Sequence, residues 1–254
     1  MAISGKQFEQ VRLLLEEARK KMRPRTADLY KVFCAVLYVL KSGWPWRMLP
    51  ESFPKWRTVH AYFQIWSEED EEGVSPLERA FKKSGCRGSR ETGAQRPQRV
   101  LVVDAQSVKN SDTARQKGDD TGKKVPGIKR HIAVDTQGLP HAVAVTTAEV
   151  TDRKGVLKAF ARCKAGLGKV RSVLADSGYV GQPFALDIQA ILGEHVTVQI
   201  AKRIRSRSCP SDGSSSSLAW LEKHRRLWKN YERKLNTSLQ FVHLTLQASM
   251  LWRL

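Results

Sequence analysis

The sequence predicts an α/β protein: a mixed sheet with flanking helices, preceded by an N-terminal helical domain of helix-turn-helix-like character. Three observations predict it. Apolar residues recur at helical spacing through the first third of the chain. A stretch rich in Gly, Arg, Ser and Gln then interrupts them at residues 84–98. Beyond it, short apolar runs and helical stretches follow in the order strand, hairpin, helix, strand, helix, strand, helix, which calls for a mixed sheet carrying helices. The expected organisation is 1–83 helical domain, 84–98 linker and 99–254 α/β domain.

In the first domain, Phe8, Val11, Leu14, Leu15 and Ala18 mark an amphipathic helix over residues 6–21, broken by Arg23-Pro24-Arg25. A stronger stripe follows: Leu29, Val32, Phe33, Val36, Leu37 and Leu40, stopped at Gly43. After the aromatic loop Trp44-Pro45-Trp46, a third helix starts near Thr58. It turns Val59, Phe63 and Trp66 inward and His60, Ala61 and Gln64 outward. Three helices with a basic approach at Lys55 and Arg57 suit a helix-turn-helix reader, with Lys55, Arg57, His60 and Gln64 as its DNA-facing residues. A small bundle that only packs or dimerises fits the same pattern. The acidic run Glu68–Glu72 would repel phosphate and belongs off any DNA face.

In the second domain, residues 99–104 (RVLVVD) read as a buried strand, 105–128 as a polar basic loop, and 131–135 with 140–147 as a hairpin turning at Gly138. Residues 152–166 read as a helix, 170–176 as a strand, 184–192 as a helix and 195–200 as a strand. Two helices, 218–234 and 237–254, close the chain.

Composition narrows the partners. There are 44 Lys+Arg against 25 Asp+Glu, a formal net charge of +19, which calls for a polyanion. No apolar run is long enough for a transmembrane helix, and residues 1–20 lack the apolar core of a signal peptide, so the expected location is the cytoplasm. The four cysteines, Cys34, Cys86, Cys163 and Cys209, are scattered, which argues against a zinc knuckle or a disulfide framework. A ribosomal protein would share the charge but lack the buried-strand runs.

Two aspartates, Asp104 and Asp176, each end an apolar strand-like run and are followed by small or polar residues. A carboxylate beside a buried strand is costly unless it is paired or holds a cation. Two on neighbouring strands can hold a divalent metal through oxygen, and paired metals can activate water and stabilise the leaving oxygen of a phosphodiester. Capping a strand end or a turn is the plainer role for each. The basic segment 122–131 supplies Lys123, Lys124, Lys129 and Arg130 for phosphate contact, and the C-terminal helix supplies Lys223, Arg225 and Arg226. A solvated face is the plainer reading of both.

The runs LVVDAQSVKN, GKKVPGIKRHIAVDTQGLPHAVAVTTAEVTDRKG and VLADSGYVG resemble the catalytic core of DDE transposases of bacterial insertion sequences, in the branch typified by insertion sequence five. The stretch RPRTADLYKVFCAVLYVLKSGWPWRMLPESFPKWRTVHAYFQIW resembles that family's helical DNA-binding region, and LAWLEKHRRLWKNYERKLNTSLQF its C-terminal end. The resemblance implies a ribonuclease-H-like core and two Mg²⁺ ions, with Mn²⁺ as a substitute. It implies double-stranded DNA partners, the element's terminal inverted repeats and target DNA, and a homodimer or larger assembly acting on the nucleoid. In such enzymes water attacks the phosphodiester at the element end and the freed 3′-hydroxyl attacks target DNA. By motif, Asp104 is the first catalytic aspartate and Asp176 the second, both metal ligands.

The third acid departs from the pattern. The family carries a glutamate in R-W-x-V-E-R-S/T-F-A-W-L, and here only Ser217-Leu218-Ala219-Trp220-Leu221 keeps it, with Ser215 at the glutamate's place. A frame change would explain the rest: a hypothetical coding string CCGAGCGATGGATCGTCGAGC encodes Pro-Ser-Asp-Gly-Ser-Ser-Ser, residues 210–216, in one frame and Glu-Arg-Trp-Ile-Val-Glu in another. A pair of compensating frameshifts is the expectation, and an unrelated string in the gene would sink it. Serine is a poor metal ligand, and Glu222 stands seven residues on, roughly 10 Å along a helix. The sequence thus predicts impaired catalysis with DNA binding retained. The competing readings are an inactive DNA-binding remnant acting on element ends, and a nuclease of another kind that would recruit Glu194 or Glu222.

Overall fold

The computed structural model describes residues 3–18, 27–91, 100–116, 118–179, 181–201 and 213–252, and of 84–91 and 213–217 the backbone only. Two compact units divide it: residues 1–92 with 221–228 and 240–254, and residues 93–220 with 229–239. Packing therefore divides the chain differently from the linear scheme above, returning two C-terminal segments to the N-terminal unit.

The first unit is helical. Helix α1 (Gly5–Glu17) starts at a capping box in which Ser4 accepts from the Gln7 N–H and the Gln7 side chain accepts from the Ser4 N–H. Helix α2 (Leu29–Ser42) starts at Asp28, whose carboxylate accepts from the Tyr30 and Lys31 N–H groups, and ends where Gly43 takes a left-handed φ of 74°. Helix α3 (Trp56–Ser67) buries Val59, Phe63 and Trp66 as its periodicity predicts. The α2–α3 connection spans residues 43–55 around a 3₁₀ turn at Trp46–Met48, longer than the short turn of a tight helix-turn-helix. Helix α4 (Pro76–Glu91) runs through the first half of the expected linker, and residues 92–98 lie outside the described residues. Its Gly and Ser residues disfavour helix, but Leu77, Ala80 and Phe81 are buried and anchor it.

The core of this unit is aromatic. Phe33 packs between Phe8 and Trp66, at ring distances of 5.3 and 6.2 Å. Phe63 stacks on Phe241 at 4.6 Å, Trp46 adds its ring, and the Trp66 indole N–H donates to the Leu15 carbonyl.

The second unit holds the sheet: β1 (Val100–Lys109), β2 (Asp119–Asp120), β3 (Val125–Asp135), β4 (Pro140–Thr147), β5 (Ser172–Ala175) and β6 (Thr197–Ile200). Strand β3 pairs antiparallel with β1 and with β4, while β1, β5 and β6 run parallel. This order, β4-β3-β1-β5-β6, is the ribonuclease-H-like arrangement. Helices α5 (Asp152–Cys163) and α6 (Gln182–Leu192) supply Val156, Phe160, Phe184 and Ile188 to a core shared with Leu101, Val103 and Val173.

Two expectations fail here. Residues 105–109 are not loop: they continue β1, because Lys109 through Ala105 find hydrogen-bonded partners along Gly127 to His131 of β3. Asp104 is therefore mid-strand. Residues 218–234 are not one helix. Helix α7 (Gly213–Glu222) stops, a 3₁₀ turn covers Arg225–Leu227, and the Asn230 N–H donates to the Lys109 carbonyl at 2.9 Å. Helix α8 (Leu235–Trp252) then ends the described chain.

Candidate active site

The site begins with strand register. Parallel pairing matches Val100 with Ser172, Leu101 with Val173 and Val102 with Leu174. Two steps on, Asp104 and Asp176 fall at the same level of adjacent strands, whose spacing is about 4.8 Å. There β5 ends, and β1 continues with β3 alone. This is the carboxyl edge of the parallel strands, the side on which open α/β sheets place ligands.

Asp104 is half-buried and its Oδ1 accepts from the Ala105 N–H at 2.7 Å. Burial first, then the charges of Asp176 and Asp152, hold its carboxyl above the ordinary range, against the pull of the Ala105 N–H and Lys123. Asp176 is exposed and its Oδ1 accepts from the Gly178 N–H at 2.9 Å.

A third carboxylate, Asp152, was missed by motif reading. It is the first residue of α5, after Thr151, whose hydroxyl caps the helix by accepting from Lys154. Its Oδ1 lies 3.1 Å from Lys129 Nζ, which also reaches Asp120 Oδ2 at 3.2 Å and donates to the Val150 carbonyl at 3.1 Å. Asp120 in turn accepts from Ser107 at 2.7 Å. Burial would raise the Asp120 carboxyl, but Ser107, the Lys123 N–H and Lys129 together hold it below its ordinary value. The signal for Asp152 was present in the sequence, a Thr-Asp pair opening a helix after a strand, but capping explained it fully. Tyr179 was missed too. It follows Asp176 on a short 3₁₀ turn, buried to 3% exposure against Phe184.

The basic candidates divide. Lys123 and Lys124 are exposed on the turn before β3, with Lys124 at a φ of 52°. Lys129 and Arg130 are buried at 6% and 2% exposure and face internal partners, Arg130 reaching Gln106 Oε1 at 3.4 Å. They are withdrawn from phosphate contact. Their side chains are covered on the faces of the sheet, so their charges must be satisfied inside. In the first unit Lys55, Arg57 and Gln64 are exposed, and His60 is half-buried against Trp46. Lys223 and Arg225 are exposed. Arg226 is half-buried, donates to the Trp44 carbonyl and lies 5.3 Å from the Phe241 ring centre.

Two carboxylates at one sheet edge are hard oxygen donors, and their mutual repulsion is what a cation relieves. Mg²⁺ commonly binds through one or two carboxylates and keeps several waters, so the pair fits one such ion. Among the described residues no group of three His, Cys, Asp or Glu is arranged to hold a metal. Ser215 lies in α7, among residues whose side chains are not described. Glu194 precedes β6, at the opposite end of the parallel strands from Asp176. Glu222 is exposed and belongs to the first unit.

Of the four cysteines, Cys34 is half-buried and Cys163 buried; the side chain of Cys86, and Cys209, lie outside the described residues. Among the described residues no helix is long and apolar enough to cross a membrane.

Residues 95–251 match the family model described as transposase DDE domain, and residues 3–71 match one described as putative transposase of the IS4/5 family. Comparison with curated proteins gives no match. Solved structures similar to the chain include a Mos1 transposase paired-end complex with left transposon end, at 10% identity, covering 91% of this chain and 82% of that one, with a TM-score of 0.27. A pre-cleavage Mos1 transpososome is similar at 10% identity over 92% and 82%, TM-score 0.26. A Mos1 mariner paired end complex with Mn is similar at 10% identity over 98% and 83%, TM-score 0.28.

Proposed function

The chain belongs to the DDE transposases, of the IS4/5-like type, and we propose on that premise that it binds the terminal inverted repeats of an insertion sequence and that its own cleavage chemistry is impaired. The observation that carries this is the pairing of Asp104 with Asp176 at one sheet edge, without a third carboxylate at Ser215. Asp104 and Asp176 would hold a divalent cation, Mg²⁺ or Mn²⁺. When bound, it would activate water and stabilise the leaving oxygen of a phosphodiester. The residues of this chain do the rest. Lys123 offsets the carboxylate charge beside Asp104. Lys129 holds Asp152 and Asp120 in place. Lys55, Arg57, His60, Gln64, Lys124, Lys223, Arg225 and Arg226 are the proposed contacts to double-stranded DNA. The work is done in the cytoplasm, on the nucleoid, by a dimer or larger assembly, since two element ends must be joined.

A second reading is a DNA-binding remnant without catalysis. The serines at 214–217 favour it, because a hydroxyl is a weak substitute for an ionised ligand. Mg²⁺-dependent cutting of a fragment bearing the element's own terminal repeat separates the two. The chain is tested beside a version restored across 210–216, with Ser215→Glu at its centre. Cutting by the restored version alone supports impairment with a sound Asp104–Asp176 pair. Cutting by the chain as it stands, lost in Asp104→Ala, refutes impairment.

A further inference from the structure

We propose that Arg153 is a positioning residue of this site, its guanidinium clamping the turn that orients the Asp176 carboxylate for a divalent cation. The inference rests on the proposed role of the Asp104–Asp176 pair.

Asp176 stands one residue past the end of β5, where the ladder to β6 stops at Ala175. The sheet therefore sets where Asp176 begins, and the turn after it sets where the carboxylate points. Within that turn Asp176 Oδ1 accepts from the Gly178 N–H at 2.9 Å, and the Asp176 carbonyl accepts from the Tyr179 N–H at 3.1 Å. Ser177 and Gly178 are exposed, so water competes for these bonds. Arg153 braces the turn from outside. It is the second residue of α5, and its Nε–H donates to the Gly178 carbonyl at 3.3 Å. A Cβ on Gly181 would lie 3.7 Å from Arg153 Nη1, so the guanidinium reaches across the turn from Gly178 to Gly181. Two hydrogen bonds thus connect α5 to the Asp176 carboxylate, both through Gly178. A planar guanidinium with several fixed donors suits such a brace.

Neither helix stability nor ion pairing accounts for arginine at this position. A cation in the first turn opposes the helix dipole. Asp152 and Asp187 line the same cleft, but Asp152 pairs with Lys129, and the Arg153 hydrogen bond goes to a backbone carbonyl.

The test is Mn²⁺ binding to the full chain, read as loss of the free-ion EPR signal, with no DNA and no turnover. The variants are Arg153→Ala, Arg153→Lys and Asp176→Asn, each with its thermal unfolding midpoint measured without metal. Groups that orient metal ligands from outside the coordination shell typically contribute about 10–100-fold in affinity, so Arg153→Ala is expected to weaken Mn²⁺ binding about tenfold. Charge alone predicts the opposite sign, because losing one cation near a carboxylate site favours binding of another. Arg153→Lys keeps the charge and one donor and should recover part of the loss. The metal-free midpoint should stay unchanged or rise in Arg153→Ala, since alanine suits the first turn of α5 better than a cation does. Asp176→Asn should abolish binding. Affinity unchanged or raised in Arg153→Ala, with binding lost in Asp176→Asn, overturns the role of Arg153 and leaves the carboxylate pair standing. An unmodified chain that binds Mn²⁺ no better than Asp176→Asn overturns the pair, and this inference with it. A metal-free midpoint that falls in step with binding in Arg153→Ala assigns the residue to the fold and overturns the proposal.

Discussion

Acidification from pH 7 to pH 5 should weaken the second unit through His131. This residue lies on β3 opposite Ala105, next to the Asp104–Ile132 pair, and has no exposed surface. Its Nε2 sits 2.9 Å from Thr146 Oγ1. Burial, reinforced by Lys129, Lys158 and Lys123 and opposed by Asp152, pushes its pKa from 6.5 down to about 4. The folded-state value is depressed, so between those two values the unfolded chain takes up a proton that the folded chain refuses. Stability is therefore full above pH 6.5, falls as the pH drops through the window, and stops falling below about pH 4. The two values give a loss of about 2 kcal/mol between pH 7 and pH 5, and about 3 kcal/mol by pH 4. Urea unfolding followed by tryptophan fluorescence at both pH values measures it. His131→Gln keeps an amide for Thr146 but does not titrate, so the common effect of rising net charge cancels between the two proteins. Equal losses in wild type and His131→Gln would refute the reasoning.

Other perturbations test the packing and the DNA face. A Cβ on Gly155 would overlap the His131 imidazole, so Gly155→Ala should cost about 1–3 kcal/mol by overpacking, read as a lower thermal midpoint. Lys129→Met strands Asp120 and Asp152 and should cost about 3–5 kcal/mol, whereas Lys123→Ala, at an exposed position, should stay within about 0.5 kcal/mol; equal denaturation midpoints for the two would contradict the buried network. Lys55→Ala and Arg57→Ala should each reduce the slope of log affinity against log salt by about 0.9 in a DNA titration. An unchanged slope removes that residue from the phosphate contacts.

Much of the fold is legible in the sequence because periodicity records which side of an element is covered. The stripes of α2 and α3, the β3–β4 hairpin turning at Gly138, and the run before Asp176 all reappear in place. The sequence fails where a partner distant in the chain decides. Residues 105–109 are too polar to read as strand until β3 supplies their hydrogen bonds. Leu77, Ala80 and Phe81 hold a helix through residues whose composition reads as linker. Lys129 and Arg130 look like phosphate ligands because a sequence gives the charge but not the burial.

By itself, the sequence determined the family, through the runs around Asp104 and Asp176, together with a large positive charge. These are properties of residue type and order, which need no neighbours to exist. Only the tertiary structure decided that Asp104 and Asp176 stand level, and that Lys129 is buried between Asp120 and Asp152. The physical reason is that strand register and helix docking set distances of a few ångströms between groups tens of residues apart, and electrostatic coupling depends on those distances.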